Sequence, residues 1–157
     1  MVDRTPRPSG RRRALVQIRL FWVALVIGQV FFAGFAAWAV GTGRSGAAAD
    51  AGRVLLIAAV CGGAVAVASG YFVRGQVYKL HWRQQAVAPH GYLVGNLILL
   101  AMMEAVSILA ITGGLVGGCI STALGVAFGP LLVQLINFPN GRAMLPTAPI
   151  FASHKTS

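Results

Sequence analysis

Few residues in this chain could carry charge-dependent chemistry. Of its 157 residues only three are acidic: Asp3, Asp50 and Glu104. Asp3 and Asp50 stand in polar stretches, whereas Glu104 stands in the middle of a long apolar run. An ionised carboxylate in apolar surroundings costs at least a few kcal/mol, so such a group is protonated, paired or set against a hydrated cavity. Glu104 is therefore a candidate proton- or cation-binding residue. No second acid and no Lys, Arg or His stands within an apolar run. Within its own chain Glu104 has no partner for an ion pair or a proton relay, and a neighbouring molecule would have to bring one.

Other chemistries lack their parts. Cys61 and Cys119 fall inside apolar runs without a CxxC pattern and read as small core residues. His81 and His90 are spaced without metal-site logic and read as interface residues. No nucleophile with a base, no metal set and no cofactor motif can be assembled, so neither an enzyme nor a bound cofactor is expected. The glycines lie inside apolar runs rather than after a strand, which excludes a phosphate-binding loop.

The composition says what must position Glu104. The chain is 57% hydrophobic and 10% charged, against roughly 25% charged in a soluble domain. Its mean hydropathy is +0.74. Four apolar runs stand out, at residues 20–41, 54–73, 92–112 and 115–136. Each is long enough, at about 1.5 Å per residue, to cross a hydrocarbon layer of about 30 Å as a helix. None alternates polar and apolar residues, so a membrane barrel is excluded. The expectation is an all-α integral membrane bundle of four transmembrane helices. Only Gly113 and Gly114 separate the last two runs, which predicts a tight hairpin there. Pro130 predicts a kink near Val126, because its ring removes a helical hydrogen bond.

The net charge of +10 rests on thirteen Lys and Arg, almost all in tails and linkers. Arg4, Arg7, Arg11, Arg12, Arg13 and Arg19 precede the first run, Arg74, Lys79 and Arg83 fall between the second and third, and Arg142 and Lys155 follow the fourth. Four crossings put these on one side and leave Arg44 and Arg53 on the other, so both termini are expected in the cytoplasm of a cell with an inner membrane. This placement excludes nucleic acid as the partner. The expected organisation is a basic segment at 1–19, a transmembrane domain at 20–136 and a cytoplasmic tail at 137–157, where Pro139, Pro146 and Pro149 prevent a continuing helix. The first run exceeds the apolar core of a signal peptide and is expected to stay in place. Phe21, Trp22, Trp38, Tyr71, Tyr78, Trp82 and Tyr92 border the runs as interfacial anchors.

Depth along each run suggests neighbours for Glu104. It lies about 12 Å from the outer end of its run, Gly62 and Gly63 about 12 to 14 Å, and Ser121 and Thr122 about 9 to 11 Å, with Gln29 within roughly a turn of the same level. Asn96 reads as capping or interhelical glue. Two pairs of the fourth run spaced as small-xxx-small, Gly114 with Gly118 and Gly125 with Gly129, read as packing within the bundle, with a dimer face as the alternative, and Gly63, Ser69 and Gly70 thin the second. A plainer role for Glu104 is a protonated acid bonded to Gln29, Ser121 or Thr122, each such bond contributing about 1 kcal/mol.

The second and third runs with their linker resemble the hairpin of the proton-translocating ATP synthase subunit c, the rotary-ring proteolipid. The likeness runs through Cys61-Gly62-Gly63-Ala64-Val65-Ala66, the loop Arg83-Gln84-Gln85 and Met103-Glu104-Ala105-Val106. It implies that Glu104 holds the travelling proton, that Gly62 and Gly63 let neighbouring helices close around it, and that Arg83 and Gln84 meet a stalk. The chain also resembles a bacterial group of small uncharacterised four-span proteins labelled subunit-c-like, through Glu104 and the Phe138-Pro139-Asn140-Gly141-Arg142 segment. The leading expectation is an oligomeric inner-membrane protein with a proton or cation site at Glu104, and the alternative is a non-transporting scaffold or assembly factor. Expected partners are the lipid bilayer and either further copies of the chain or another membrane protein.

Overall fold

In lipid a chain must satisfy its backbone N–H and C=O groups internally, and helices do so. The computed structural model describes residues 8–44, 46, 48–83 and 85–146. Asp3, Arg4, Arg7, Gln84, Pro149 and Lys155 lie outside them. The described chain is an all-α bundle of four helices: α1 (Pro8–Gly41), α2 (Ala49–Leu80), α3 (Pro89–Gly117) and α4 (Ile120–Ile136). α1, α2 and α3 are long and apolar enough to cross a membrane. α4 has 17 residues, about 25 Å of helix.

The first three helices overrun the apolar runs that predict them. α1 begins at Pro8 and carries Arg11, Arg12 and Arg13 as helix. α2 starts with Asp50 in its first turn and ends with Lys79 in its last, signs that suit the helix dipole. α3 starts on Pro89, whose missing N–H costs nothing at that position.

The hairpin between α3 and α4 is displaced from its expected place. α3 continues through Gly113 and Gly114 to Gly117, and the chain turns at Gly118, which caps α3 in the left-handed conformation at φ 69. Gly113 and Gly114 serve close packing instead. A Cβ on Gly113 would lie 3.1 Å from both the Gly52 carbonyl oxygen and Leu55 Cβ, and one on Gly114 would overlap the Ala123 methyl. A Cβ on Gly52 would in turn lie 2.6 Å from the Gly117 nitrogen, so α2 and α3 meet there backbone to backbone. Gly125 and Gly129 do not pack within the bundle: nothing lies within 4 Å of a Cβ at either. α4 runs through Pro130 without a break. Cys61 is exposed and Cys119 sits in the turn before α4, so Cys61 is not a core residue.

α3 is the axis of the molecule and packs against each of the other three helices, most extensively α2. Its exposed positions are His90, Ala101, Ala105 and Ile108. The core is built of small or compact residues, with Ala36, Leu56, Ala59, Ala110, Ile111, Ala123 and Ala127 in one cluster and Ala66, Leu99, Met103 and Val106 in another. Large apolar side chains such as Phe31, Phe35, Ile57, Val65, Phe72 and Phe128 point outward. Small residues inside and large ones outside suit a bundle whose helices pack closely in lipid.

One end of the bundle is closed by irregular chain. A two-residue hairpin pairs Trp82 with Val87 and Arg83 with Ala86. The chain after α4 folds back beneath α1 and α3, with a 3-10 turn at Arg142–Met144. Gly141 takes φ 76 and its N–H donates to the Tyr92 hydroxyl at 3.0 Å. Met144 is buried with Ala14, Ile18, Val87, Tyr92 and Leu100. Arg19 Nε donates to the Pro139 carbonyl at 3.1 Å, and the Trp22 ring meets Phe138 edge to face at 5.1 Å. The start of α1, the α2–α3 loop and the segment after α4 thus share one end, which also carries Arg11, Arg12, Arg13, Arg19, Arg74, Lys79, Arg83 and Arg142.

Candidate carboxylate site in the bundle

Glu104 stands near the centre of α3, thirteen residues before its last residue and fifteen after its first. Two contacts with α2 fix its depth. Gly95 of α3 lies against Arg74, where the apolar run of α2 ends, and Gly113 lies against Gly52 and Leu55, where that run begins. The apolar slab therefore spans about the height of Gly95 to Gly113 on α3, and Glu104 is within a few ångströms of its midplane at about 1.5 Å per residue.

The carboxylate is half-buried. The Gln29 amide of α1, itself 4% exposed, donates from Nε2 to Glu104 Oε2. Glu104 borders the exposed stripe of Ala101, Ala105 and Ile108 on one side and the buried Leu100, Met103, Ser107 and Ile111 on the other. That stripe lies between α1 and α2, so the carboxyl sits next to the outer surface of the bundle. Among the described residues no basic side chain pairs with Glu104, and no group of His, Cys, Asp and Glu could hold a metal ion.

The chemistry of the partner matters. An amide carries both a donor and an acceptor, so Gln29 can bond a carboxylate through its N–H or a protonated carboxyl through its C=O after rotating. A Lys or Arg in the same place would stabilise only the ionised form. Gln29 holds the carboxyl in position without dictating its protonation state.

The other sequence candidates are dispersed. Gly63 packs on α3 half a turn from Glu104, where a Cβ would lie 3.2 Å from Val106 Cγ1. It lies on the α2 side of α3, away from Gln29. Gly62 is exposed with open space around it. Ser121 and Thr122 are exposed in the first turn of α4. Because the chain turns at Gly118, they stand about 17 Å from Glu104 in height and are not its neighbours. Arg83 is exposed in the short hairpin at the basic end, and Gln84 lies outside the described residues.

Two further buried residues, Gln134 and Ser107, complete the surroundings. Gly114 abuts Ala123, and Met103 and Gln134 are each eleven residues from that contact along their own helices, so Gln134 is level with Met103 beside Glu104. Gln134 is 1% exposed and Ser107, one turn along α3 from Glu104, is 0% exposed. Among the described residues neither the Gln134 amide nor the Ser107 hydroxyl has a hydrogen-bond partner. The sequence signal for Gln134 is its spacing from Ala123, Ala127 and Pro130, the buried stripe of α4.

Toward the basic end the polar groups are paired. Arg74 donates to Asn137 Oδ1 at 2.9 Å and to the Tyr78 hydroxyl at 3.2 Å. Asn96 donates to the same hydroxyl at 2.7 Å and to the Tyr92 carbonyl at 2.7 Å, which makes it interhelical glue. Asn137 donates to the Tyr71 hydroxyl and to the Val133 carbonyl. The His81 and His90 rings lie 5.8 Å apart.

Two open clefts flank this interior. One of about 200 Å³ lies beside Gln29 and is lined by Ala33, Ile111, Ala127 and Phe128 among others. The other, of about 320 Å³, lies between α2 and α4 and is lined by Gly63, Val106, Gly129 and Pro130 among others. No family model matches the chain, and neither the curated proteins nor the solved structures contain a match to it.

Proposed function

We propose that this chain is a multi-pass protein of the inner membrane in which Glu104 reversibly takes up a proton or a small cation, working as an assembly of several copies. The observation that carries this reading is the Gln29 amide on Glu104, a partner compatible with both protonation states. The position of Glu104 beside the exposed Ala101, Ala105 and Ile108 stripe supports it further, since a neighbouring copy or membrane protein could reach the carboxyl there. The likeness of residues 54–112 to the subunit c hairpin belongs to the same reading, with Glu104 in the place of that family's proton-carrying acid. Four crossings with both termini in the cytoplasm agree with the gathering of basic residues at one end.

A second reading, a non-transporting scaffold or assembly factor, draws on the same bond, because a Gln–Glu contact also ties α1 to α3. A carbodiimide that modifies protonated acids in lipid separates the two. The protein reconstituted in liposomes is expected to be labelled at Glu104, less so as pH rises, and Glu104→Gln is expected to abolish both the labelling and any proton flux. Absence of labelling from acid to alkaline pH, with flux unchanged in Glu104→Gln, would overturn the proton-site reading in favour of the scaffold.

A further inference from the structure

Resting on the proton-site reading of Glu104, we infer that water from the basic end of the bundle reaches this carboxyl through a hydrated inlet between α1, α3 and α4, in which Gln134 and Ser107 bind the water molecules.

The first support is the pair of orphaned groups. Gln134 and Ser107 are 1% and 0% exposed, and their side-chain atoms have no hydrogen-bond partner among the described residues. A buried amide or hydroxyl left unbonded in an apolar interior is costly, and more so in lipid, where no solvent compensates. Buried water characteristically resolves this, making two to four bonds to such groups. The Gln134 amide offers donor and acceptor sites, the Ser107 hydroxyl is both, and the Glu104 carboxyl lies between them in height.

The second support is the short α4. Arg74 lies against Gly95 at the basic limit of the apolar slab, whereas Gln134 is level with Met103. α4 therefore ends at Ile136 about 9 Å inside that limit. From there the chain at residues 137–139 is irregular at membrane depth. Non-helical backbone is tolerated at that depth only where protein buries it or where it lines a water-filled cavity. Here it is lined with polar groups: Arg19 donates to the Pro139 carbonyl, Arg74 to Asn137, and Trp22 Nε1 to the Gln134 carbonyl at 2.9 Å. Asn137 and Gln134 are successive polar residues on adjacent turns of the same strand of chain, and Gln134 stands within a turn of the height of Glu104. Polar side chains therefore stand at intervals between the basic end and the height of Glu104, Asn137 bonded toward α2 and Gln134 without a partner among the described residues.

The test is hydrogen–deuterium exchange at the Glu104 carboxyl, read from its infrared carbonyl band in the full-length protein in phosphatidylcholine liposomes and assigned by its loss in Glu104→Gln. The wild type is expected to exchange as fast as D2O can be mixed in. In Gln134→Leu, and in Gln134→Met as the shape-conserving variant if the first fails to fold, exchange is expected to slow severalfold, up to about tenfold, since a hydrogen bond removed from the route raises its barrier by up to about that factor. Ser107→Ala combined with either is expected to slow it further. Exchange at the wild-type rate in the Gln134 variants, or slow exchange in the wild type, would overturn the inlet while leaving the proton site standing. Absence of any protonated carboxyl band assignable to Glu104 across the pH range would instead remove the proton site and the inlet with it.

Discussion

Replacing Gln29 and Glu104 separately and together measures their bond and the state of the acid at once. In Gln29→Leu the carboxyl loses the hydrogen-bond partner it has among the described residues, and in Glu104→Leu the nearly buried Gln29 amide loses its own. Leaving a buried polar group unmade costs about 1 to 3 kcal/mol, while replacing both partners with apolar groups of similar shape is close to neutral. The double variant is therefore expected to be more stable than either single one. The coupling energy follows from the acid's charge: about 0.5 to 1.5 kcal/mol for a neutral acid, the range also found for interhelical bonds in membranes, and about 1.5 to 3 kcal/mol for an ionised one. Half-burial of Glu104 places the expected value in the lower part of either range. Reversible unfolding in mixed micelles, at a pH below and a pH above neutrality, gives the four stabilities. The proton-site reading expects a coupling of about 1 kcal/mol at the lower pH that grows as the acid ionises. Strictly additive effects at both pH values would refute the bond, and a large coupling unchanged at low pH would refute a carboxyl that takes up a proton.

Close packing of glycine gives a contrast between sites. Gly114→Ala places a methyl on Ala123 and Gly52→Ala places one on the α3 backbone; each is expected to cost about 1 to 3 kcal/mol in unfolding, whereas Gly125→Ala, with open space around it, is expected to be neutral or to gain up to about 1 kcal/mol from helix propensity. Gly141→Ala meets both a positive φ and Leu15 Cδ2 at 2.7 Å, so it should release the segment after α4, seen as faster protease cleavage within residues 137–146 while the helical circular dichroism is retained. Tags at the two termini of the protein in right-side-out cells are expected to be shielded together, and exposure of either alone would refute the four-span topology.

The helices were legible because unbroken apolar runs leave the backbone few alternatives in lipid. Their ends were less so. The sequence sets Arg11, Arg12 and Arg13 in a basic segment before the first apolar run, yet α1 carries them as helix because nothing after Pro8 breaks it. Gly113 and Gly114 show why the hairpin was misplaced: a glycine pair marks a turn or a place where backbones touch, and only the partner surfaces at Gly52 and Ala123 distinguish the two. The register of α4 follows from that turn: a helix beginning at residue 115 has Ser121 and Thr122 level with Glu104, whereas one beginning at Ile120 brings Gln134 there. Gln29 is legible because α1 ends at Gly41, where its apolar run ends, so depth counted from that end holds although the helix starts twelve residues before the run. The fold-back of residues 137–146 depends on Gly141, Tyr92 and Leu15, which are distant in sequence and share no pattern.

The same register explains why this bundle can hold a carboxyl at its centre without an ion pair. A charge in the middle of a slab about 30 Å thick is expensive because water is about 15 Å away on both sides. On the proposed four-span reading α4 is too short to maintain that distance on the side toward the basic end, and the polar chain that follows it begins about 6 Å from the height of Glu104. Gln29, a neutral amide, completes the site from α1 without fixing the charge. A buried Arg or Lys would have made Glu104 more stable as a structural ion pair and less able to change state. The pairing of a neutral partner with nearby polar chain, rather than the acid alone, is what favours a reversible site over a structural one.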